Sequence, residues 1–179
     1  SLIPSLAAKA IGSWALVFWL TGKFTKWSLL LILSTLLQPL VGLQLFVLTV
    51  MAYALDLLVR KKFKTFPWRE SLYYLVVAVP LYILLIINNG SEGDTAGFFQ
   101  IIEFRLAHHF FASSFGWLNL VVLGIFALIA LYYAKQRFRW FIVLILAGCV
   151  LYELGTEYAH IPLALYTQWW KTTIWLEAF

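Results

Sequence analysis

Long apolar stretches separated by short polar clusters set the architecture of this chain. Residues 3–20 are apolar except for a few polar positions such as Lys9, and they stop at Thr21-Gly22-Lys23, a glycine and lysine pairing that ends a helix. That length is borderline between a span and an interfacial helix. No charge falls within 27–55, yet Gln38-Pro39 interrupts the run and Gly42 follows. Proline lacks a backbone donor and clashes with the preceding turn. The stretch is therefore either one long kinked helix or a short helix packed against a full span over about 39–59. Freed backbone groups at membrane depth must be re-satisfied by protein, so the break marks an interior or a cavity wall.

The next span, about 72–87, carries Pro80 and ends in the turn-rich, acidic Asn88-Asn89-Gly90-Ser91-Glu92-Gly93-Asp94. Residues 98–111 hold Gln100, Glu103, Arg105, His108 and His109 among aromatics, too many ionisable groups to span, which places them at the interface. A clean span over 116–134, a helix over 140–158 and a last apolar helix after Pro162 follow. The basic runs Arg60 to Arg69 and Lys135 to Arg139 alternate with the acidic loop, so the positive-inside rule puts both runs in the cytoplasm and the acidic loop opposite. The expected fold is all-α: one polytopic transmembrane bundle over 1–179, with about five to six membrane helices and an interfacial amphipathic helix. A bacterial inner membrane is the expected location.

Composition sharpens this. Of 179 residues, 63% are hydrophobic and 12% charged, whereas soluble domains carry about 25% charged residues; a water-soluble fold is excluded. The formal charge of +5 sits in interhelical loops, where it controls topology, and no nucleic-acid partner is expected. The one cysteine, Cys149, lies in an apolar run and is expected to pack as a small hydrophobe. The ends, Ser1-Leu2-Ile3-Pro4 and Ile174 to Phe179, suggest a processed chain or a piece of a larger polytopic protein.

Candidate chemistry gathers on the outer face. Glu103, Arg105, His108 and His109, with Ser113 and Ser114 after them, form its densest polar segment. Arginine grips phosphate or carboxylate with a planar fork, and histidine donates to an oxyanion or moves a proton near neutral pH; together they suit the phosphate of a lipid. The bland alternative is an interfacial helix whose charges snorkel into head groups. Lys171, among Trp169, Trp170 and Trp175, suits a cation over aromatic faces or a lipid phosphate. Glu153, Glu157 and His160 stand at i, i+4 and i+7, and Glu157-x-x-His160 has the spacing of carboxylate-bridged metal sites in bundles. A divalent metal, its site completed by Glu103, His108 and His109, and metal-dependent oxidoreductase chemistry are one reading there; a capped helix end with an intramembrane ion pair is the other. Asp56, one turn before Arg60, is expected to make a snorkelling salt bridge.

Phe104-Arg105-Leu106-Ala107-His108-His109, continuing to Ser113-Ser114-Phe115, resembles an Arg-x-Pro-His-His…Pro-Ser element of bacterial membrane proteins related to the C-type glycosyltransferases (GT-C). Gln38-Pro39-Leu40-Val41-Gly42-Leu43 is similar to a His-Pro-Leu-Val-Gly-Leu stretch of that group, and Gln168 to Thr173 falls where a basic residue follows aromatics. Ala107 and Ala112 stand for prolines and Gln38 for histidine, and no Asp or Glu precedes Asp56 to match the family's first-loop carboxylate. The resemblance implies sugar transfer from a polyprenyl-phosphate donor, with Arg105, His108 and His109 as donor-phosphate or acceptor contacts. A non-catalytic subunit packed within a larger membrane complex is the competing expectation.

Overall fold

The computed structural model describes residues 2–61, 65–89, 112–161, 164 and 167–177. Among them are seven α-helices and no strand: α1 (Leu2–Leu20), α2 (Phe24–Leu37), α3 (Pro39–Arg60), α4 (Trp68–Asn89), α5 (Trp117–Tyr133), α6 (Gln136–Glu153) and the short α7 (Ile174–Glu177). The chain forms two compact units. One comprises Ser1–Gly90 with Lys135–Phe141, the other Ser91–Ala134 with Ile142–Phe179. Three helices are long and apolar enough to cross a membrane, Pro39–Arg60, Trp68–Asn88 and Gln136–Tyr158, and three shorter apolar helices accompany them.

In the first unit, the stop signal after α1 forms a complete C-terminal cap. Gly22 takes φ 74°, and Gly22 and Lys23 N–H groups donate to the Trp19 and Phe18 carbonyls at 3.2 and 2.8 Å. This Schellman arrangement satisfies carbonyls the helix end would otherwise leave bare. Gly22→Ala, which places a Cβ at positive φ, is expected to cost about 1 kcal/mol in a denaturation titration.

The 27–55 run resolves into the second of its two alternatives. Gln38 is extended (φ −148°), Pro39 opens α3, and α2 and α3 pack against each other. Proline at the first helical position loses nothing, because that N–H has no intrahelical acceptor. α2 also packs on α1 and α4, and buried hydroxyls stitch these contacts. Ser34 Oγ donates to the Ala8 carbonyl at 3.0 Å, Ser28 Oγ to the Glu70 carbonyl at 2.7 Å, and Thr35 Oγ1 pairs with Tyr74 Oη at 3.0 Å. Trp27, Phe46 and Tyr74 stack successively, with centroids 6.0 and 4.0 Å apart. In an apolar surrounding such small and hydroxylated contacts hold helices that a hydrophobic effect alone would not.

The second basic run is not a loop. Gln136 to Arg139 form the first turn of α6, so that span begins earlier than the expected residue 140. The reason is visible in the packing: Phe138 and Phe141 are buried and stack at 5.6 Å, and Arg137 turns inward. Its Nη1 donates to the Trp19 carbonyl at 3.2 Å, its Nε lies 3.8 Å from Asp56 Oδ2, and its guanidinium sits 4.2 Å from the centre of the Tyr53 ring, with Trp19 and Phe24 beside it. Asp56 makes the expected bond to Arg60, at 2.8 Å, but its side chain is only 2% exposed and both arginines share it.

Candidate functional site

Glu103, Arg105, His108 and His109 lie outside the described residues, as does the expected interfacial helix over 98–111. The other candidates belong to the second unit. Glu153, Glu157 and His160 do not continue one α-helical face, which corrects the sequence reading. The α-helix ends at Glu153 and widens into a π-helical turn over Leu154–Tyr158, closed by the Ala159 N–H on the Leu154 carbonyl at 2.9 Å. His160 then adopts φ 48°, and its Nδ1 lies 3.1 Å from the Thr156 carbonyl oxygen. The extra residue in a π turn rotates everything after it off the 3.6-residue register. Glu157 Oε1 accepts both the N–H and the hydroxyl of Ser113, at 3.0 and 2.8 Å. Among the described residues no group of three or more His, Cys, Asp or Glu comes together to hold a metal ion.

Lys171 is exposed on a 3₁₀ turn, Trp169–Thr173, and its amine meets Gln168 Oε1. That turn is fixed from below. Trp169 Nε1 donates to the Ile145 carbonyl at 3.1 Å, and its ring lies against Gly148 of α6, where a Cβ would come within 2.6 Å of Trp169 Cζ2. Phe115 meets Trp170 edge to face at 5.3 Å. These contacts place Trp170 and Thr173 beside the start of α5.

Two adjoining cavities result. A groove of about 770 Å³ follows α5 along Asn119, Val122, Phe126, Ile129, Ala130 and Tyr133, closed by Leu176 of α7. A smaller pocket of about 430 Å³ shares Asn119 and Leu123 with it and is lined further by Ser114, Phe115, Trp170 and Thr173. The groove wall is almost wholly aliphatic and aromatic; the pocket wall adds hydroxyls, an amide and an indole. Asn119 Nδ2 already donates to the Phe115 carbonyl at 2.6 Å, which leaves its carbonyl oxygen and second N–H for a ligand. Trp117 at one end of α5 and Tyr132 and Tyr133 at the other are all more than three-quarters exposed.

Sequence reasoning missed this groove. Its α5 residues recur at i, i+3, i+4 and i+7 from Asn119, but every face of α5 is apolar, so the stripe does not stand out. No protein-family model, curated protein or solved structure matches the chain.

Proposed function

We propose that this chain is a multi-pass protein of the bacterial inner membrane that binds an amphiphilic lipid of polyprenyl-phosphate type, in the manner of the C-type glycosyltransferases that the Arg105 to Phe115 segment resembles. One observation carries the reading: an apolar groove along α5 that runs into a pocket with polar walls. Its volume lies within the range of small-molecule sites, and its two halves match a hydrocarbon tail and a polar head. Lys171 shares the 3₁₀ turn that supplies Trp170 and Thr173 to the polar half.

In this reading Arg105, His108 and His109 neutralise the departing lipid phosphate, and a carboxylate takes the acceptor proton in an inverting displacement. Such donors accelerate the reaction only where they meet charge that grows in the transition state.

Native mass spectrometry of the chain, gently extracted from its own membrane, tests the proposal. A retained polyprenyl-phosphate mass is expected, displaced by Ala130→Trp, which fills the groove, and weakened by Arg105→Ala. Full lipid occupancy in an Arg105→Glu variant would sink the role given to the Arg/His segment. A second reading, a non-catalytic subunit of a larger complex, is favoured by the broad exposed apolar face of α4, including Leu72, Val76, Ile83 and Ile87. Stable protein partners without a retained lipid would support it instead.

A further inference from the structure

At one end of the first unit five helix ends converge. Arg137, from the start of α6, contacts the Trp19 carbonyl at the end of α1, the Phe24 ring at the start of α2, and Tyr53 and Asp56 near the end of α3. The start of α4 joins them through the Ser28 hydroxyl on the Glu70 carbonyl, and the chain leading into it through the Tyr53 hydroxyl on the Thr65 carbonyl. These segments carry Lys23, Lys26, Lys61, Arg69, Lys135 and Arg139, all exposed. Residues 1–90 and 135–141 contain only two acids, Asp56 and Glu70. Asp56 is buried between Arg60 and Arg137, and Glu70 lies 3.1 Å from Arg69. The rim is therefore strongly positive, with its acidic side chains already engaged.

We infer that this rim is a binding site for the head groups of anionic phospholipids. Topology control needs basic residues in loops, but it does not need them drawn to one end around a common arginine. The surface beside the rim selects a lipid over a soluble polyanion. Trp68 is 72% exposed next to Arg69, and Leu72, Val76 and Val79 continue down α4 as exposed apolar surface. A phosphodiester that meets the cations lays its acyl chains on that face, with the Trp68 indole at head-group level. The site belongs to the first unit and the α5 groove to the second; the inference rests on the membrane reading of the chain and on the α4 face meeting lipid.

The test is quenching of tryptophan fluorescence in vesicles of brominated phosphatidylglycerol or brominated phosphatidylcholine with identical acyl chains, which yields their relative affinities for the protein surface. Quenching by either lipid reports insertion and so checks the membrane reading separately. A preference for phosphatidylglycerol of at least about fivefold is expected at low salt, collapsing toward unity at 0.5 M salt, where the Debye length shrinks to a few ångströms. Lys61→Gln, Arg69→Gln, Lys135→Gln and Arg139→Gln combined, all at exposed positions, should take it below about twofold. Equal affinity of the unmodified chain for both lipids would overturn the inference, as would a preference that survives salt or the four substitutions. Displacement by glycerophosphate, which has the head-group charge without the chains, would overturn it in favour of a soluble anion.

Discussion

Replacing Arg137 by methionine is expected to cost about 3 kcal/mol of stability, the lower part of the range for removing one member of a buried ion pair. Methionine keeps an unbranched apolar stem among Trp19, Phe24 and Tyr53, so the change removes charge and hydrogen bonding more than volume. What remains is an Asp56 carboxylate, 2% exposed, held among the described residues by Arg60. Arg60 is about half exposed, and its bond is the kind that solvent weakens. The Trp19 carbonyl also loses one of its two donors, keeping the Gly22 N–H. Equilibrium unfolding in detergent, followed by circular dichroism, measures the loss. The decisive comparison is Asp56→Leu with Arg137→Met, which removes both charges and should recover most of it. A double variant as unstable as the sum of the two single ones would show that the two groups do not interact, and that packing around the arginine accounts for the cost.

Arg137 also shows where sequence reasoning reached and where it stopped. Helix ends were legible because they are local. Gly22 and Lys23 make the cap that a Gly-Lys stop implies, and Pro39 starts a helix where proline loses no hydrogen bond. The Asp56 to Arg60 bond was legible for the same reason, being one helical turn long. Its second partner was not, since Arg137 is 81 positions away and sits in a basic run that reads as a loop. The charge rule assigns such a run to a side of the membrane and is silent on which member turns inward. The single helical face expected of Glu153, Glu157 and His160 breaks at a point no spacing reveals: a π turn after Glu153 ends the register that i, i+4, i+7 presupposes. The α5 groove was hidden by uniform hydrophobicity, which erases the contrast between faces on which helical patterns depend.

The glycines of the apolar helices divide on the same principle, and one pair gives opposite expected signs for one substitution. Gly42→Ala should destabilise by about 3 kcal/mol, the upper end of the usual cost of overpacking, while Gly124→Ala should be neutral or stabilise by up to about 1 kcal/mol. Both positions lie inside helices, so both gain helix propensity with alanine. At Gly124 nothing lies within 4 Å of an added Cβ, and the propensity gain stands alone. At Gly42 the added carbon would fall 2.7 Å from the backbone N and Cα of Thr35. Backbone cannot rotate away as a side-chain tip can, so α2 and α3 must separate. Separation strains the Thr35 to Tyr74 hydrogen bond and the Tyr82 hydroxyl on the Pro39 carbonyl, at 3.0 and 2.7 Å, and with them the packing of α4. Unfolding midpoints of the two single variants in the same detergent make the comparison. Equal midpoints would mean that α2 and α3 tolerate a wider spacing, and that the Gln38-Pro39 break does not hold them at the distance seen here.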